Sequence, residues 1–108
     1  MNQLFEIYET LRHFGFCFNQ SDFSVHWLGR SRCYMSYLKR TGADPSLTSM
    51  KLLVARLEAE VELAKHSGEE AFYRPMRSAL VAARTIHDGV YELKYVPPFY
   101  RITAINSS

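Results

Sequence analysis

The sequence predicts an all-helical fold of about five helices. Apolar residues recur at spacings of three and four along most of the chain, and glycines or proline-led polar clusters interrupt that rhythm at intervals. The β-forming residues gather late, after Gly89. A chain of 108 residues has room for one core, so residues 1–108 are read as a single domain. With 47% hydrophobic and 22% charged residues, disorder over the whole length is not expected, because there is enough apolar surface to offset chain entropy.

The first helix is expected from about Asn2 to Phe14, on the spacing of Leu4, Ile7, Tyr8, Leu11 and Phe14, and Gly15 ends it. The polar cluster Asn19-Gln20-Ser21-Asp22 opens a short second helix, about Ser21 to Leu28, closed by Gly29. Ser31 is a candidate N-cap for a third helix running to about Arg40, with Tyr34, Met35 and Leu38 at helical spacing and Gly42 as its stop. Of the adjacent pair Tyr34 and Met35, Met35 is expected inside and Tyr34 at the rim. Asp44-Pro45-Ser46 starts the fourth helix, since the residue before a proline avoids the helical region. Leu47, Met50, Leu53, Val54, Leu57, Val61 and Ala64 carry that helix to Ser67-Gly68. The fifth is expected over Glu69 to His87, with Pro75 in its first turn or bending it, and Asp88-Gly89 as its stop. The two long helices can form a hairpin. From Val90 onward, Tyr91, Leu93, Tyr95, Pro97-Pro98, Phe99, Tyr100, Ile102 and Ile105 read as an extended arm or a short strand, with Pro97-Pro98 forbidding a central one.

Charge is local rather than global. The net charge is only +2, but Gln20 to Gly42 holds Arg30, Arg32, Lys39 and Arg40 against the single acid Asp22. From Ala43 to Gly68 the balance turns acidic, with Asp44, Glu58, Glu60 and Glu62 against Lys51, Arg56 and Lys65. A confined basic segment is the electrostatic footprint of a nucleic-acid surface. Its structural alternative is a solvated helix face.

Other chemistries find little support. His13, His26, His66 and His87 are widely spaced, and Cys17 and Cys33 form no CxxC, so neither a metal nor a cofactor is expected. No GxSxG, P-loop or GxGxxG occurs. Asp22, Ser24 and His26 lie too close along one helix for a catalytic relay. The chain is therefore expected not to be an enzyme. Trp27, four residues after Phe23, is expected in the core rather than as a stacking platform. Cys33 beside Arg32 can be a redox-sensing thiol, but a small buried thiol is the commoner case. The uncharged run Phe14 to Ser21 is far shorter than the ~20 apolar residues of a membrane span. Glu6 and Glu9 interrupt any secretory leader, and two cysteines suit a reducing compartment; together these predict a cytoplasmic protein.

Gly29, with Met35 six residues on, Leu38 nine on, then Gly42 and Pro45-Ser46-Leu47, resembles the lambda-repressor-like (Cro-type) helix-turn-helix family. Leu52, Leu53 and Leu57 match that family's fourth helix, and the resemblance covers about residues 4–60. Three positions depart from the pattern. Gln20 lies nine residues before the turn glycine rather than eight, Val25 stands at an alanine position, and Arg30 follows the glycine where a small apolar residue is usual. The resemblance implies a helix-turn-helix core over 1–60, with a hairpin extension and tail over 61–108. It implies that Ser31, Arg32, Cys33, Ser36 and Tyr37 face base edges, with Arg30 at the start of that helix. Lys39 and Arg40 would then touch backbone on the far side, and Gln20 or Ser21 would donate to a phosphate.

The expected function is sequence-specific binding of double-stranded DNA by a small bacterial or phage transcriptional regulator that reads the major groove with Ser31–Arg40. A homodimer formed through the hairpin would set two such helices about one DNA turn, ~34 Å, apart. The alternative is an all-helical module that keeps this fold and binds a protein partner instead. It is favoured by the 14% aromatic content and the modest net charge.

Overall fold

The computed structural model describes residues 2–95, and all regular structure among them is helical. The order is α1 (Asn2–His13), α2 (Gln20–His26), α3 (Tyr34–Thr41), α4 (Leu47–Ser67) and α5 (Glu70–Tyr95). α1 presents Leu4, Ile7, Tyr8 and Leu11 inward and ends where Gly15, at φ +82°, lets the chain reverse. There the Phe16 N–H donates to the Leu11 carbonyl and the Gly15 N–H to that of Arg12, which satisfies two of the helix's last carbonyls.

α4 and α5 form the expected hairpin and carry the broadest helix packing among the described residues. Leu53, Leu57 and Val61 of α4 share one core with Met76, Ala79, Leu80 and Ala83 of α5, and α1 packs against the same helix. Phe23, Trp27, Leu28, Tyr34, Met35 and Leu38 join that core, so the α2–α3 unit is docked on it rather than tethered to it. Ser46 caps α4 by accepting from the Ser49 N–H at 3.1 Å.

α5 departs from expectation at its end. It does not stop at Asp88-Gly89 but continues to Tyr95, so Tyr91, Leu93 and Tyr95 are helical and not extended. A glycine inside a helix costs about 1 kcal/mol relative to alanine. Two local effects outweigh it. Val90 is buried, and the rings of His87, Tyr91 and Tyr95 meet at spacings of four, with centroids 6.4 Å apart in the stacked pair and 5.1 Å apart in the tilted one. Pro75 lies inside α5, beyond its first turn, where it denies the Ala71 carbonyl its usual partner. The reading of Pro97, Pro98, Phe99, Tyr100, Ile102 and Ile105 as an arm lies outside the described residues. No helix among the described residues is long and apolar enough to cross a membrane.

Candidate nucleic-acid interface

α2 begins with a reciprocal cap. The Asn19 side chain accepts from the Asp22 N–H at 2.8 Å, and the Asp22 carboxylate accepts from the Phe18 N–H at 2.8 Å. Gln20 and Ser21 are half-buried in this first turn. The carboxylate of Asp22 already occupies the positive end of the helix, so a phosphate approaching Gln20 or Ser21 would meet an acid there.

The chain leaves α2 through Gly29, whose φ of +64° disfavours any side chain. A Cβ at that position would also lie 2.9 Å from the Leu52 side chain of α4, so the turn is pressed against the hairpin. The Arg30 N–H donates back to the Ser24 carbonyl at 2.9 Å.

The expected third helix over Ser31–Arg40 is corrected: α3 starts at Tyr34 and ends at Thr41. Ser31 and Arg32 lie in the preceding turn, where the Ser31 carbonyl accepts from the Tyr34 N–H at 3.1 Å. Ser31 is not the cap, and Cys33 in the cap position makes no side-chain bond. The cap comes from another helix. The buried hydroxyl of Ser24 in α2 donates to the Gln20 carbonyl at 2.8 Å and accepts from the Met35 N–H at 3.1 Å. Sequence reading missed this because a cap eleven residues away leaves no local signal. The expected rim position of Tyr34 is corrected too. It is buried beside Met35, and its hydroxyl accepts from the Ser46 N–H at 2.9 Å, tying α3 to the start of α4.

With Tyr34, Met35 and Leu38 turned inward, the outer side of α3 carries Cys33, Ser36, Tyr37 and Arg40, spaced to share one face. Arg30, Ser31, Arg32 and Lys39 are exposed around it. Arg30 lies over the Tyr34 ring at 4.6 Å, and Tyr37 stacks on Tyr34 at 6.3 Å. None of Arg30, Arg32, Lys39 and Arg40 forms an ion pair with a described residue. The interhelical contact of α5 adds a cation that sequence alone did not associate with this surface. Lys94 shares with Arg30, Tyr37 and Asp44 a cleft of about 240 Å³. Only the helix continuing through Gly89 brings Lys94 there.

Trp27 is in the core as expected, with its indole N–H donating to the Phe16 carbonyl at 3.2 Å. The two thiols separate cleanly. Cys17 is buried, and burial pushes its thiol up to about 11. Cys33 is exposed on the α3 face, which corrects the reading of it as a buried thiol.

The chain matches a family model described as a family of unknown function (DUF6626) over residues 4–88. It belongs to that family. The match takes in most of α1, all of α2 to α4 and most of α5. No curated protein and no solved structure matches the chain.

Proposed function

We propose that this protein binds double-stranded DNA, docking α3 and the turn before it in the major groove without chemistry on the nucleic acid. The supporting observation is a short helix buried on one side only, whose free side is flanked by four exposed cations that no described acid pairs. Base contacts fall to Arg32, Ser36 and Tyr37, and phosphate contacts to Lys39 and Arg40, with Arg30 beside them. The positive φ of Gly29 and the complete burial of Met35 and Leu38 are what the helix-turn-helix likeness calls for. In this reading the protein acts as a cytoplasmic transcriptional regulator. Two copies pair so that their α3 helices lie ~34 Å apart.

Selection from random-sequence duplexes, followed by fluorescence anisotropy at two salt concentrations, tests this. Arg32→Ala is expected to lower affinity for the selected site by ~1–3 kcal/mol. Lys39→Ala should weaken all sequences alike and reduce the salt slope by about 1. With about three phosphate contacts per protomer, a dimer gives a log–log slope near −5. Equal affinity of wild type and both variants at low salt removes the proposal.

A protein partner is the second reading. It is favoured by the exposed aromatic and apolar side chains of Tyr37, Tyr91, Leu93 and Tyr95. An absence of DNA binding, together with loss of partner capture in Tyr37→Ser, would support it.

A further inference from the structure

At the other end of α4 from its Ser46 cap, the end of α1 and the α4–α5 turn enclose a second pocket, of about 300 Å³. Its walls include the rings of Phe14, Phe16 and Phe72, with Met76 among the lining residues. Phe72 stands at 71° to Phe14 and at 86° to Phe16, with ring centroids 5.6 and 6.1 Å away. These are edge-to-face contacts, and the three packed rings give the pocket an aromatic wall.

The rim is acidic. Glu60 and Glu69 line the pocket, and no lysine, arginine or histidine among the described residues does. The ion pairs of the described residues engage Glu9, Asp22, Glu58, Glu62 and Asp88, which leaves these two carboxylates without a cationic partner among them. Ser67, in the last turn of α4, also lines the pocket, with its hydroxyl donating to the Leu63 carbonyl at 2.8 Å.

We propose that this pocket binds a small organic ammonium ion. Aromatic walls exclude a bare metal ion, which needs more oxygen or nitrogen ligands than two carboxylates supply. The unpaired acids distinguish a cation from a neutral apolar guest of the same shape. The volume lies at the small end of ligand pockets, so the guest is compact. The site is separate from the α3 face, and the proposal stands whether or not the chain binds DNA.

Trp27 is a built-in reporter. It is the only tryptophan of the chain, and its ring meets that of Phe16 edge-on at 6.4 Å. Choline and its uncharged carbon isostere, 3,3-dimethylbutan-1-ol, are titrated into the intact protein, followed by Trp27 emission and calorimetry. Choline is expected to saturate the signal and to bind at least about fivefold more tightly than the isostere. The double variant Glu60→Gln/Glu69→Gln is expected to reduce that preference to within about twofold, with isostere binding unchanged. If circular dichroism shows the double variant unfolded, exposed Glu69→Gln alone is expected to weaken choline about threefold. Equal binding of the two probes overturns the proposal. So does the absence of saturation by choline up to about 50 mM, or a folded variant that keeps the full preference.

Discussion

α3 and α4 are held in opposite ways. α4 has 21 residues, its own Ser46 cap, and a buried stripe from Leu47 to Ala64. α3 has eight residues and three buried side chains, and hydroxyls bridge it to its neighbours: Ser24 in α2 caps its start, and its own Tyr34 accepts from the first residue before α4. Isolated helices shorter than ~12–15 residues are marginal in water. The hairpin therefore supplies its own reason to be helical, while α3 is helical because its neighbours hold it. A helix arranged in this way can leave one whole side free, since its position does not depend on burying that side.

The largest expected effect tests the hairpin as the common floor. Leu57 is fully buried in α4, and Leu57→Ala is expected to cost ~2–5 kcal/mol. The loss should appear as one cooperative transition by far-UV dichroism and by Trp27 emission, because the α2–α3 unit shares that core. Two separated transitions would mean that the halves fold independently, and the comparison would break.

Ser24→Ala tests the other half of the contrast. It leaves the buried Met35 N–H without its partner, which costs ~1–3 kcal/mol. Because the lost bond fixes α3 alone, hydrogen exchange should accelerate in residues 34–41 more than in 53–61. Uniform acceleration across both helices would show that Ser24 supports the fold generally and not the start of α3.

The contrast also explains what the sequence made legible. α1 and α4 were readable because their periodicity and the breaks beside it are local to the helix concerned: Pro45-Ser46 and Gly68 bracket the apolar stripe of α4. The inward turn of Met35 and Leu38 was readable from spacing. The start of α3 was not, because Ser31 offered a local cap while Ser24 supplied the real one from another helix. The end of α5 was misread for a related reason. Asp88-Gly89 is a true local stop signal, overridden by the burial of Val90 and the ring ladder beyond it. Lys94 was consequently missing from the α3 surface. The cations Arg30, Arg32, Lys39 and Arg40 were readable as exposed, since nothing in their segment could pair them except Asp22.

A smaller effect distinguishes the two thiols. Folding raises the Cys17 thiol from its ordinary 9.0 to about 11, so between those values the unfolded chain releases a proton that the folded chain retains. Unfolding is then favoured as pH rises. The stability contributed by Cys17 is complete below pH 9 and is lost towards pH 11, by up to about 2 kcal/mol. Urea titrations under reducing conditions should show the difference between wild type and Cys17→Ala shifting against wild type by that amount over this window. A difference independent of pH would mean that Cys17 reaches water. Exposed Cys33 should react with a thiol reagent at pH 8 in the folded protein, with Cys17 following only on unfolding.

The smallest effect concerns how charge is used in the two regions. Arg84 and Glu58 make the one ion pair between different helices among the described residues, at 3.1 Å with both side chains about half exposed. Such a pair contributes at most ~1 kcal/mol and is screened by salt. Arg84→Ala is therefore expected to lower stability by less than that, and the deficit should vanish in about 1 M salt. Lys39→Ala, whose cation has no described acidic partner, should leave stability unchanged within ~0.5 kcal/mol. A loss above ~2 kcal/mol for Arg84→Ala would show that the hairpin depends on charge and not on its apolar seam. A comparable loss for Lys39→Ala would show that the cations of α3 hold the fold together, and they would then no longer be free for a partner.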